Sequence, residues 1–93
     1  MIVVSGEIEL FLPSSQSLKD KRQVLASIKD RVRSRFDVVA AEIDHQELWQ
    51  RAAIGLVTVS ASARHAQQVM TQAMGFVEDD PRVQVLDSFV EER

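Results

Sequence analysis

Between Ala41 and Ala53 the chain runs A-E-I-D-H-Q-E-L-W-Q-R-A-A, the densest gathering of chemically capable side chains in its 93 residues. It holds the only Trp, one of two His, and acidic, amide and basic groups in close succession. One chemistry such residues suggest is a metal or acid–base site at Glu42, Asp44, His45 and Glu47. On a strand Glu42 and Asp44 project to the same side, so two carboxylates could converge beside His45. Open coordination usually needs three well-placed ligands, and no second His is near in sequence. No metal, cofactor or catalytic residue is therefore assigned. A second chemistry is recognition: Trp49 stacks on a base or fills a partner's pocket, while His45, Gln50 and Arg51 hydrogen-bond around it. The third reading is packing. Trp49 and Leu48 cover the end of a sheet or an interface between copies, and His45 and the carboxylates pair with Arg51. This packing or interface reading is favoured, because a lone Trp in a small domain usually packs.

Other catalytic classes lack their residues. There is no Cys, no G-x-S-x-G elbow, no G-x-G-x-x-G and no phosphate-cradling loop among the three Gly, and His65 falls on a helix flank. A non-enzymatic module is expected, with no small-molecule substrate. The absence of Cys suits a reducing cytoplasm. The start, M-I-V-V-S-G-E-I-E-L, lacks a basic leader and meets Glu7 early, and no apolar run approaches the roughly 20 residues of a membrane span. A cytoplasmic location without membrane contact is expected.

The net charge of -3 conceals an asymmetry. Between Ser17 and Phe36 lie seven basic residues against Asp20 and Asp30, a net +5, while the remaining four basic and twelve acidic residues give -8. At 100° per residue, Arg22, Lys29 and Arg33 cluster on one flank of a helix with Lys19 nearby. Lys19, Arg22, Lys29 and Arg33 are the candidate RNA-binding residues, with an affinity that falls as salt rises. The alternative is a flank that is merely solvated, or that faces the acidic body of a second copy in a dimer or larger homo-oligomer.

The elements that must position these groups follow from periodicity. Ile2 to Leu12 alternates as a half-buried strand, with Val4, Gly6, Ile8 and Leu10 inward and Glu7, Glu9 and Phe11 outward. Ser17 caps a helix from Leu18 to about Arg35, whose apolar stripe is Leu18, Val24, Leu25, Ile28, Val32 and Phe36. Asp37–Asp44 and Ala52–Ala61 read as strands joined by the opening stretch, which is expected to extend their hairpin, with one helical turn as the alternative. Ser62 caps a second helix to about Val77, with Met70 and Met74 inward, before a last strand Val83–Val90 and a polar tail. On the third strand, Ala53, Gly55, Val57 and Val59 are expected to face the helices. Ile54 and Leu56 would then form an open-face association patch. The order β-α-β-β-α-β predicts one α+β domain over 1–93, ferredoxin-like, with a four-stranded antiparallel sheet carrying two helices on one face. Its open face lacks the aromatic platforms of an RRM, so RNA contact is expected on the helix side.

On S-L-K-D-K-R at Ser17 to Arg22, R-F-D-V-V-A-A-E-I-D-H-Q-E-L-W-Q-R-A at Arg35 to Ala52, and R-H at Arg64 and His65, the chain resembles the bacterial YlxP-like family, a domain of unknown function (DUF503). The resemblance spans nearly the whole chain, and D-H-Q-E-L-W-Q-R-A is its most specific run. It implies a ferredoxin-like fold, a gene often beside translation and ribosome-maturation genes, and no established activity. Glu47, where the family more often has Asp, and Gly75 inside the second helix depart from its pattern.

Overall fold

The computed structural model describes residues 1–93. Its elements are β1 (Ile2–Phe11), α1 (Leu18–Arg35), β2 (Val39–Asp44), β3 (Arg51–Ser60), α2 (Ala63–Glu78) and β4 (Gln84–Glu92). All pairings are antiparallel and the strand order is β2-β3-β1-β4, the ferredoxin-like arrangement expected from the element order. Both caps form as expected. Ser17 Oγ accepts the Asp20 N–H at 3.0 Å while Asp20 Oδ2 accepts the Gln16 N–H at 3.0 Å, and Ser62 Oγ accepts the His65 N–H at 3.2 Å. No helix is long and apolar enough to cross a membrane.

One core lies between the helices and one sheet face. Val4, Ile8 and Leu10 of β1 meet Leu25, Ile28 and Val32 of α1 and Ala66, Met70, Ala73, Met74 and Val77 of α2. Gly6 completes the β1 row, because a Cβ there would stand 2.7 Å from Met74 Sδ and 2.9 Å from Met70 Sδ. The absent side chain sets how closely α2 approaches the sheet.

The facing of β3 is opposite to that expected. Ala52, Ile54, Leu56 and Thr58 are buried under the helices, whereas Val57 and Val59 are exposed on the open face. The register decides this: Leu56 lies opposite Gly6 and Ile54 opposite Ile8, and directly opposite residues share a face. Small side chains at 53 and 55 suggested close helix approach, but filling the core with Ile54 and Leu56 removes more apolar surface from water. Ile54 and Leu56 therefore form no association patch. The residues after Val90 are also not a free tail, since β4 continues to Glu92 and Arg93 exchanges backbone hydrogen bonds with Val3 at 2.7 and 3.2 Å.

Candidate functional site

The β2–β3 connection is neither an extended hairpin nor a helical turn. β2 stops at Asp44, and His45 takes a left-handed conformation (φ 63°). The Leu48 N–H then donates to the His45 carbonyl at 3.0 Å, closing a tight turn. The Asp44 carboxylate accepts the His45 N–H at 2.7 Å, the local bond that helps a non-glycine residue hold positive φ. Past the turn the Leu12 N–H donates to the Gln50 carbonyl at 2.8 Å. The Gln50 amide donates to the carbonyls of Pro13 and Ser15 at 3.3 and 3.2 Å, tying the turn to the β1–α1 connection.

Beneath the turn sits Lys21, with no exposed surface. Its ammonium donates to the carbonyls of His45 (2.7 Å), Gln46 (3.3 Å) and Arg51 (3.3 Å). Glu42 Oε2 lies 2.9 Å from the same nitrogen. That contact is ionic rather than an aligned hydrogen bond, because the three protons are already directed to carbonyls. A buried ammonium is tolerated only when so fully partnered. In the sequence Lys21 adds to the positive charge of the helix, but in the fold it occupies the core stripe. The signal in the sequence is its spacing: it precedes Leu25 by four residues and Ile28 by seven.

The same turn directs a second cluster onto the open face. Glu9 Oε2 accepts from the Arg51 guanidinium at 2.9 Å and stands 3.0 Å from His45 Nε2. A bulge between Glu42 and Asp44 separates the expected carboxylate pair. Glu42 lies opposite Ile54 on the helix side, and Asp44 opposite Ala53 on the open side. Alternation from Glu42 to Asp44 is broken by one extra residue, so Glu42, Asp44 and His45 do not converge as ligands. Of the interaction-loop candidates, His45, Gln50 and Arg51 are engaged within the chain. Trp49 is 55% exposed and Leu48 48%, so neither is covered by its own sheet end.

The four basic candidates lie along α1, but they are not equivalent. Arg33 is held by Asp30 at 2.8 Å and donates through Nε to the Lys29 carbonyl at 3.2 Å. Lys19 and Arg22 are exposed and Lys29 half-buried, and none of the three has an ion-pair partner within the chain. On the opposite flank Arg31 and Arg35 stack on Phe76, at 5.5 and 5.0 Å from the ring centroid. The helix thus divides its charge among a buried clamp, a stacked pair and a free basic flank.

The model of the family described as "Protein of unknown function (DUF503)" matches residues 3–89. The "Uncharacterized protein YlxP" of Bacillus subtilis (strain 168) is 33% identical over 79 residues, which cover 85% of this chain and 86% of the relative. Residues 3–89 include the Lys21 clamp, the His45 turn and the basic flank of α1, and over that span the chain belongs to the DUF503 family.

Proposed function

We propose that this chain is a non-enzymatic cytoplasmic module that associates with RNA or the ribosome through the free flank of α1. The observation that carries the reading is the contrast among cations. Lys21, Arg51, Arg82 and Arg93 each pair with a carboxylate in the fold, while Lys19, Arg22 and Lys29 do not. Arg33 extends the flank at the cost of breaking its exposed pair with Asp30, which is worth at most about 1 kcal/mol. Three or four phosphate contacts give a slope of log affinity against log salt of about -2 to -4. The sheet face opposes this contact, since it presents Glu7, Glu9, Asp87 and Glu91 and a single aromatic residue on each of β1 and β4. Ribosome co-sedimentation at low and high salt tests the reading. Binding should fall with salt and weaken in Arg22→Ala with Lys29→Ala; a salt-insensitive signal, or no binding at low salt, overturns it.

A second reading is a homo-oligomeric or protein-interaction module that uses the open sheet face and the Asp44–Arg51 segment. Exposed Val39, Ile43, Val57, Val59 and Phe89 favour it. Trp49→Ala or Val57→Asp should then shift a sedimentation profile toward monomer.

A further inference from the structure

The two edges of the sheet are built differently. β2 has six residues, carries the Glu42/Asp44 bulge and turns Glu42 inward to Lys21, all devices that blunt an edge. β4 has nine residues, and beyond its bulge at Leu86 it keeps an unbroken ladder with β1 from Asp87 to Glu92. Its other edge has no partner. Three large apolar side chains stand exposed along it: Leu86 at 51%, Phe89 at 54% and Val90 at 44%. Phe89 lies opposite Glu7 on the open face and Val90 opposite Gly6 on the helix side, so α2 leaves even the inward row of β4 partly uncovered.

We infer that β4 pairs with β4 of a second copy, antiparallel about a two-fold axis normal to the sheet at Ser88, joining two sheets into one of eight strands. The charge pattern selects the occupant and the register. Centred on Ser88, Asp87 lies opposite Phe89, the bulged pair Val85 and Leu86 opposite Val90, and Gln84 opposite Glu91, because the bulge returns Val85 to the helix side and Gln84 to the open side. No two carboxylates oppose one another, although the strand carries three. Centring on Asp87 sets the two Asp87 side chains together, and centring on Phe89 sets Asp87 against Glu91, both unfavourable. Centring on Val90 retains only Ser88–Glu92. In the Ser88 register the exposed Leu86 and Val90 cover one another, and the two Phe89 residues become diagonal neighbours about 7–8 Å apart, within reach of their rings, while the two Asp87 carboxylates take the other diagonal, at the solvated open face. A two-fold pairing is closed, so the exposed edge is consumed rather than propagated. α1 packs against β2 and α2 against β1 and β3, so both basic flanks stay free at the outer ends of the joined sheet. The inference is therefore independent of the RNA reading.

The test is sedimentation equilibrium of the full chain from micromolar to millimolar concentration, with Leu86→Lys and Val90→Lys as edge variants and Val57→Lys as an open-face variant. All three positions are exposed, and circular dichroism checks the fold. The expected result is a concentration-dependent dimer whose dissociation constant rises about tenfold or more in the edge variants and little in Val57→Lys. Amide exchange over Asp87–Glu92 should also slow as concentration rises. A parent that stays monomeric throughout overturns the inference. So does a dimer that survives the edge variants, or one lost only with Val57→Lys.

Discussion

Lys21 and Glu42 join the helix layer to the edge of the sheet, Nζ to Oε2 at 2.9 Å, while the ammonium's hydrogen bonds go to the turn beside them. Two carbonyls of the turn and one at the start of β3 thus depend on one side chain from another element. Replacing Lys21 with Met leaves the carbonyls of His45, Gln46 and Arg51 without their donor and Glu42 without its counter-charge. The expected loss is about 3 kcal/mol, read from urea unfolding. Glu42→Gln should cost less, because its side chain retains 18% exposure and the carbonyl bonds to Lys21 survive. A Lys21→Met variant as stable as the parent would show that the clamp is dispensable.

Gly6 and Gly75 should respond to Ala in opposite directions. A Cβ on Gly6 meets Met74 and Met70 sulfurs at 2.7 and 2.9 Å, so α2 or both thioethers must move, at about 1–2 kcal/mol. A Cβ on Gly75 meets nothing within 4 Å. Gly75→Ala should stabilise by about 0.5–1 kcal/mol, since Ala suits a helix and loses less backbone freedom. Thermal melts of the two variants should bracket the parent.

Much of this fold was legible because it rests on period and punctuation. The inward row Val4, Gly6, Ile8 and Leu10, both serine caps and the bounds of α1 follow from spacing alone. The facing of β3 did not, because A-A-I-G-L-V-T-V-S-A is apolar on both faces and alternation cannot choose between them. Only pairing with β1 decides. The bulge that parts Glu42 from Asp44 and the positive φ of His45 are likewise set by register and by a local side-chain bond, which residue types do not encode strongly. Lys21 was hidden by its own chemistry: charge placed it on a surface, and its helical position placed it inside.

The corrected facing of β3 yields a paired test at adjacent residues. Leu56→Asp buries a carboxylate with no counter-charge and should unfold the domain, a loss above about 4 kcal/mol. Val57→Asp places the same group in solvent on the open face and should cost no more than about 1 kcal/mol. One-dimensional proton spectra would separate them at once. Equal effects would contradict the register of Leu56 with Gly6.

Acid stability should carry a contribution from the α2–β4 connection. The Arg82 guanidinium forks onto Asp80, with Nη2 to Oδ2 at 2.7 Å and Nε to Oδ1 at 2.9 Å, and also donates to Ser27 Oγ at 3.2 Å. The side-chain hydrogen bonds from Arg82 hold the Asp80 carboxyl below the usual carboxylate range, against the opposing effect of burial. A carboxyl depressed by folding contributes stability that is fully present above its unfolded value of about 4 and is lost as pH falls through the folded value. Asp80→Asn should therefore lie furthest below the parent at neutral pH, and the gap should close in acid. A gap that stays constant from neutrality to strong acid would remove Asp80 from the account.

Trp49 gives the most direct view of the turn. Its backbone neighbourhood is fastened by Lys21, Gln50 and the Leu12–Gln50 bond, yet the residue is 55% exposed. Rigid backbone beneath an exposed aromatic is what a recognition surface needs, because little ordering remains to be lost on contact. In dilute monomer the emission should be solvent-like and readily quenched by a neutral quencher, and Trp49→Ala should change stability by no more than about 0.5 kcal/mol. Added ribosomal RNA fragments distinguish the roles of the turn and the helix. Blue-shifted, protected emission that disappears in Arg22→Ala with Lys29→Ala would place Trp49 beside the RNA contacted by α1. Salt-dependent binding with unchanged emission would confine the RNA to the helix flank and leave the turn for a protein. An emission already blue-shifted in the monomer would contradict the exposed ring itself.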